Sequence, residues 1–225
     1  PHLDGARMRA QDDVVVDVEG VLHVARGVVT RDVQCLEVVE VMLHLGSHGF
    51  PVAPLVGTRA DNNSLLELNG FVYEVFRFID GHRYERSPAE AMAAGRLLAS
   101  LHRLLHDLHP RWTPPDMTFH NHPAVVPSID DLMGRGTDGA MRADLAALRD
   151  AYLRAAAEAE RLGVMRHPAQ LIHADWHPGN LLFAGPQATS GAPVEPRVVA
   201  VLDFDAVRSG RTIMDLANGA LQFAV

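Results

Sequence analysis

The sequence predicts an α+β protein of two lobes, a small antiparallel sheet carrying one helix followed by a mainly helical part. Three observations carry this. Short β-branched and aromatic runs crowd residues 14–79 and are joined by turn dipeptides. From Ser87 onward the apolar residues recur at helical spacing. A late pair of apolar runs then brackets a polar loop, Leu171 to Phe183, and a further run ends in Asp203-Phe204-Asp205. Sheet first and helices second is an α+β layout. It divides the chain into residues 1–79 and 80–225.

Residues 1–13 are polar and weakly patterned. Val14 to Val18 and Val21 to Ala25 read as two strands around a tight Glu19-Gly20 turn. Thr30 is placed to N-cap a helix reaching about Leu45, with Val33, Leu36, Val39/Glu40 and Leu43 on its successive turns. Cys35 reads as a small core residue of that helix. Gly49-Phe50-Pro51 cannot continue it. Ser64 to Leu68 and Phe71 to Phe76 flank Asn69-Gly70, a type I′ hairpin signal because both turn positions need positive φ. Phe78-Ile79-Asp80-Gly81 closes the sheet region as a hinge.

Ser87 is an N-cap candidate, with Pro88 at the first helical position and Glu90 at the third. Met92, Leu97, Leu98, Leu101, Leu104 and Leu105 give that helix its apolar residues, and His102, His106 and His109 read as its solvated face. Residues 109–137, rich in Pro, His, Asp and Gly, read as a long irregular connection, His120-Asn121-His122 included. A second helix is expected from about Gly139 to Leu162. Residues 184–197 have the composition of a hairpin loop, and Thr212 to Val225 begins a further helix.

Composition bounds the function. Of the 225 residues 48% are hydrophobic and 21% charged, ordinary for a globular protein. The formal charge of −8 argues against nucleic-acid or anionic-membrane partners, which need basic footprints. A single cysteine permits no internal disulfide and suits a reducing cytoplasm. No apolar run reaches the ~18–20 residues of a membrane span, and Pro1 to Arg7 does not read as a signal peptide. The start at Pro1 and the still-apolar end at Val225 lead us to expect an incomplete first lobe and a truncated second one.

The polar loop carries the chemistry. His173, Asp175 and Asn180 follow the His-x-Asp-x-x-x-x-Asn spacing of a phosphoryl-transfer loop. One carboxylate, Asp175, can orient a hydroxyl nucleophile and accept its proton. An Asn amide and a second carboxylate supply the hard oxygen ligands that Mg²⁺ on nucleotide phosphates requires. Asp203, at the end of the next long strand, is that second carboxylate, with Asp205 two residues on. His173-x-Asp175-x-His177 also has metal-hydrolase character, but no second ligand set at matching spacing accompanies it. Trp176 reads as a packing residue beneath the loop.

With these motifs in view, the chain resembles the aminoglycoside phosphotransferase and choline kinase-like family, whose fold is protein-kinase-like. The resemblance rests on His173-Ala174-Asp175-Trp176-His177-Pro178-Gly179-Asn180, on Val201-Leu202-Asp203-Phe204-Asp205, on Thr212 to Asn218, and on Phe76-Arg77-Phe78-Ile79-Asp80-Gly81. It spans residues 14–220. It implies an ATP- and Mg²⁺-dependent phosphotransferase acting on a hydroxyl of a small molecule. Asp175 would be the catalytic base, Asn180 and Asp203 the Mg²⁺ ligands, and Phe76, Phe78 and Ile79 the nucleotide hinge. His173 would support the loop, with Asp205 beside the metal site and Asp215 tying the last helix to the loop. The family's phosphate-binding lysine has no counterpart here. His23 takes its position, with Arg26 as the alternative, and Glu37 or Glu40 would be the partner acid. No Gly-rich loop precedes Val14. These departures leave open a non-catalytic nucleotide-binding module, and the loop alone would also suit a protein kinase. The acceptor could be an aminoglycoside, choline, homoserine, a methylthio-sugar or another small alcohol.

Overall fold

The structure, a computed structural model, describes residues 14–18, 21–28, 34–57, 64–68, 71–110, 119–136, 138–184 and 195–224. For residues 14–18, 21–28, 34–37, 65–68 and 71–72 it describes the backbone only. The protein is α+β, mostly helical, with small antiparallel sheets.

The first sheet has four strands in the order β1-β2-β4-β3. They are β1 (Val14–Val18), β2 (Val21–Val28), β3 (Leu65–Leu68) and β4 (Phe71–Arg77). Val18 faces Val21 and Leu68 faces Phe71, so each hairpin has two residues between paired ends. Those turn residues, Glu19-Gly20 and Asn69-Gly70, lie outside the described residues, as does the expected N-cap Thr30. Helix α1 (Gln34–Ser47) lies between β2 and β3 in sequence. Val38, Val41, Met42 and Leu45 are buried on one face at i, i+3, i+4, i+7, and Val39 is buried beside them. Leu43, expected on that face, is exposed: it falls one residue past Met42, about 100° around the helix.

Helix α2 (Pro88–His106) starts where the sequence places it, with Ser87 Oγ accepting the Glu90 N–H at 3.1 Å. Its buried stripe runs Glu90, Ala94, Leu98, Leu101, Leu105. Met92 is exposed rather than in the core, because two small residues, Ala93 and Ala94, take the inward positions there. The expected irregular connection holds a short 3₁₀ turn (Phe119–Asn121) and a helix, α3 (Val125–Gly134). Pro127 masked that helix in the sequence. It sits in the first turn, where its missing N–H has no intrahelical partner to lose, and Ser128 N donates the first bond to Ala124 O at 2.9 Å. Helix α4 (Gly139–Arg161) is N-capped by Asp138, which accepts from Met141 N at 2.8 Å, and packs on α3.

Two small strand pairs follow. β5 (Gln170–Ile172) pairs with β8 (Arg208–Gly210), and β6 (Leu181–Ala184) with β7 (Arg197–Val201). Helix α5 (Thr212–Gln222) closes the described chain. Among the described residues no helix is long and apolar enough to cross a membrane.

One hydrophobic cluster runs through α1, α2, β5, β6 and β7 and reaches Phe223 just after the last helix, with Leu45, Leu101, Trp176, Phe183 and Val201 among its members. Two connections lock the first sheet to the β6–β7 hairpin. Residues 51–56 act as a strap: Val201 N donates to Pro51 O at 2.7 Å, Arg77 N to Pro54 O at 2.8 Å, and Val56 N to Val75 O at 2.7 Å. The segment after β4 is the second. His82 and Phe183 exchange both backbone hydrogen bonds at 2.9 Å. Glu90, buried, accepts from Glu85 N and from the His82 ring, both at 2.9 Å, so that segment is tied to the start of α2.

Gly81 makes this crossing possible. A Cβ there would lie 3.1 Å from Leu182 Cβ, from Phe183 O and from Val199 Cγ2. Gly81→Ala should therefore overpack a site with backbone on one side and lower stability by about 1–3 kcal/mol. Urea unfolding measures this, and an unchanged midpoint would show that the crossing has slack.

Candidate active site

The strand ends bring the polar residues together. β5 stops at Ile172, and the chain turns through residues 173–180 before β6 returns at Leu181. Pro178-Gly179-Asn180 forms a 3₁₀ turn whose start is held by the His177 Nδ1 acceptor on Gly179 N–H, 3.0 Å. Asn180 is thereby placed under Asp175. Its Nδ2 donates to Asp175 O at 3.0 Å and to Asp175 Oδ2 at 3.1 Å. His177 Nε2 lies 3.4 Å from the same Oδ2. The Asp175 side chain is 43% exposed and open to an incoming molecule. Asn180 also fixes the neighbouring loop, since its carbonyl accepts Leu202 N–H at 2.9 Å, and Asp203 follows directly. Asp203 has a left-handed backbone, φ 59°, strained for a residue with a side chain.

Beneath the loop sits Asp215 of α5, only 1% exposed. Its Oδ2 accepts His173 N–H at 3.0 Å and its Oδ1 accepts Ala174 N–H at 2.8 Å. A third donor, His102 Nε2 of α2, reaches Oδ2 at 2.9 Å. His102 is thus an inward-facing residue, not part of a solvated helix face. It lies one residue past Leu101 on the buried stripe, close enough to reach a carboxylate on the next helix. His106 and His109 are exposed. His173 is fully buried. Its Nε2 pairs with Leu202 O at 3.2 Å and its Nδ1 accepts Asp175 N–H at 3.3 Å, which describes a neutral ring. Burial pushes this imidazole below its ordinary 6.5, outweighing the opposite pull of the Asp215, Asp175 and Asp203 charges and of the Leu202 carbonyl. Trp176 is buried under the loop, edge-on to the His173 ring, with its Cδ1 3.1 Å from where a Cβ on Gly219 would sit.

A cleft of about 410 Å³ opens between the first sheet and this loop. Phe76, Phe78 and Ile79 line it, together with Asn180, Asp203 and Asp205. Glu40 is half-buried and outside this lining, whereas Val38 and Met42 of the same helix are in it. The side chains of His23, Cys35 and Glu37 lie outside what the structure describes. In backbone register His23 stands opposite Arg77, and Arg26 opposite Glu74. Glu74, buried and lining the cleft, was missed from sequence. The alternation of β4 holds the signal, because Glu74 and Phe76 share a face.

The donor set at the polar end fits a hard divalent cation. Asn180 commits its N–H₂ to Asp175, which leaves an amide oxygen as the group it can offer, and Asp203 adds a carboxylate. By contrast His82, Glu85 and Glu90 also place ligand atoms within 4.8 Å of one another, but both Glu90 oxygens are already held by His82 and Glu85 N.

Two outcomes test this geometry. Unfolded, His173 binds a proton near 6.5, while the folded ring stays neutral to lower pH. The unfolded state therefore binds more protons below that value, so stability falls as pH falls, by at most about 1.4 kcal/mol per pH unit. Urea melts across pH should show this slope flattened in His173→Gln. Ala174 has φ 64°, a conformation that only glycine adopts without cost. Ala174→Gly should raise stability by about 0.5–1 kcal/mol, and Ala174→Val should lower it by at least as much; the same melts check both.

A search of curated proteins finds no match. Among solved structures, an aminoglycoside phosphotransferase from Alicyclobacillus acidocaldarius subsp. acidocaldarius DSM 446 is 21% identical, with TM-score 0.65, covering 95% of this chain and 68% of its own. The amicoumacin kinase hAmiN, solved with AMP-PNP, Ca²⁺ and Ami, is 15% identical with TM-score 0.68, over 94% of this chain and 61% of its own. A spectinomycin phosphotransferase solved with ADP and spectinomycin is 15% identical with TM-score 0.62, over 95% of this chain and 65% of its own. The chain thus shares its fold with these proteins and spans about two thirds of their length. Residues 13–224 match the family described as the phosphotransferase enzyme family, and this chain belongs to it.

Proposed function

We propose that the protein is an ATP-dependent phosphotransferase that moves the γ-phosphoryl group to a hydroxyl of a small molecule. The observation that carries this is the side-by-side hold of Asp175 and Asn180, with Asn180, Asp203 and the Phe76–Ile79 segment lining one cleft. In this reading the molecule has the two lobes of a protein-kinase-like fold, residues 1–79 and 80–225, with the nucleotide between them. Phe76, Phe78 and Ile79 form the apolar end that takes the adenine. Asn180 and Asp203 would hold Mg²⁺, which supplies charge neutralisation on the phosphates, and Asp205 adds negative charge beside them.

Asp175 does the proton work. Its Oδ2 is occupied by Asn180 and His177, while Oδ1 has no hydrogen-bond partner among the described residues. The acceptor hydroxyl docks there, its proton passes to the carboxylate, and its oxygen bonds to the γ-phosphorus as the bond to the β-phosphate bridging oxygen breaks. ADP is the leaving group. Positioning and electrostatics supply the rate, with little covalent work by the protein. Structural relatives are named for aminoglycosides, Ami, spectinomycin and aminopropanol; on that likeness the acceptor is a small hydroxyl compound.

A second reading has one observation in its favour. Strand β2 carries His23 and Arg26 but no lysine, which would suit a module that binds nucleotide without turnover. A coupled ADP-release screen over small hydroxyl compounds separates the two. Turnover with at least one compound is expected, and a MgATP thermal shift without any turnover favours the second reading. Asp175→Ala should lower turnover by at least about 100-fold while MgATP binding persists. Asp203→Ala should weaken the Mg²⁺-dependent part of that binding. Undiminished transfer by the Asp175 variant would overturn the mechanism.

A further inference from the structure

We propose that Arg77 and Arg83 bind the phosphates of the nucleotide and make the cleft select a charged nucleotide over a bare nucleoside; this rests on the nucleotide reading of the cleft given above. Three carboxylates line the cleft, those of Glu74, Asp203 and Asp205, and Glu74 is buried. Left alone they would repel a polyphosphate. A divalent cation held by Asn180 and Asp203 would offset part of that repulsion. Among the described lining residues the basic side chains are Arg77 and Arg83. Strand β2 brings no lysine. Arg77 stands opposite His23 in the β2–β4 register. Directly opposed residues share a face, so β4 puts a cation in the row where β2 has a histidine.

Both arginines are fixed in the backbone and uncommitted in the side chain. Arg77 ends β4, where its N–H donates to Pro54 O at 2.8 Å. Arg83 lies between His82, which exchanges backbone bonds with Phe183, and Glu85, whose N–H Glu90 accepts at 2.9 Å. The chain is therefore tied down on either side of it. Gly81 brings the same segment against Leu182, itself a lining residue. Both arginine side chains are exposed, and neither guanidinium makes a hydrogen bond or ion pair with a described residue. The guanidiniums of Arg149 and Arg161, by contrast, are committed to Asp130 and Glu158. A fork of N–H donors with no carboxylate to satisfy matches phosphate oxygens in charge and geometry. The held backbone lowers the ordering cost of that contact.

The test is a titration of ADP and of adenosine, each with Mg²⁺, into wild type, Arg77→Gln, Arg83→Gln and the double variant. Each single variant should weaken ADP binding about tenfold, the scale of one charge-assisted hydrogen bond, and leave adenosine binding within about twofold. Because both side chains are exposed, the urea midpoint should stay at the wild-type value. ADP affinity should fall as salt is raised, and the double variant should lose most of that dependence. The proposal is overturned if the double variant binds ADP as wild type does. It is also overturned if ADP and adenosine weaken together, which would make the arginines part of the adenine site. A wild-type protein that binds ADP no more tightly than adenosine overturns it while leaving the adenine site in place. One that binds neither overturns the nucleotide reading, and this proposal with it. Turnover of no acceptor would count against phosphoryl transfer alone, and the ADP comparison would still decide the role of the arginines.

Discussion

A buried carboxylate is expensive unless its oxygens are hydrogen-bonded, and Asp215 receives three donors from two parts of the chain. The donors are two amides of the loop and one ring of α2. The arrangement stabilises the protein only if α2, α5 and the end of β5 are all in place together. It therefore makes the position of the loop a property of the whole helical part, not of the loop's own residues. The strained backbone at Ala174 persists because these contacts over-determine it.

From this anchor the site assembles outward. His173, neutral and buried, connects the loop to Leu202 O and so to the strand end that carries Asp203. Asn180 makes the complementary link, bonding Asp175 with its side chain and Leu202 with its carbonyl. The two acidic residues sit on different loops, yet a single pair of residues fixes both. The phenyl ring of Phe204 fills the space between, 4.9 Å from the His173 ring. Backbone hydrogen bonds carry the opposite wall of the cleft. The strap at 51–56 and the His82–Phe183 bridge hold β4 against the β6–β7 hairpin, which is why the Phe76–Ile79 segment faces Asn180 and Asp203 across one cleft.

The α3–α4 pair plays a different part. No residue of α4 is buried, and Met141, Leu148, Leu153 and Leu162 are exposed. Its helicity rests on local terms: an Ala-rich sequence, the Asp138 cap, and pairs such as Glu158–Arg161, which lower the acid's pKa and raise the base's. That local strength is why α4 was readable from sequence. Helix α3, held largely by its contact with α4, was not.

The sequence by itself determined the sheet-then-helix order, the two hairpins, the capped start of α2, and the spacing that pairs Asp175 with Asn180. Each is a local property: a turn dipeptide, a cap three residues from the N–H it accepts, a spacing of five residues. It also carried the motifs that mark the family. Tertiary structure decided what depends on contacts between distant segments. His102 and Asp215 are far apart in the chain, and nothing in either neighbourhood shows that they meet. Leu43 and Met92 look apolar enough for a core, but which side of a helix faces inward is set by its neighbours. Glu74 is a charged residue in a strand until the fold closes a cleft over it. The long-range partners of buried polar groups are what a linear pattern cannot display, because their burial is compensated only once the chain has brought them together.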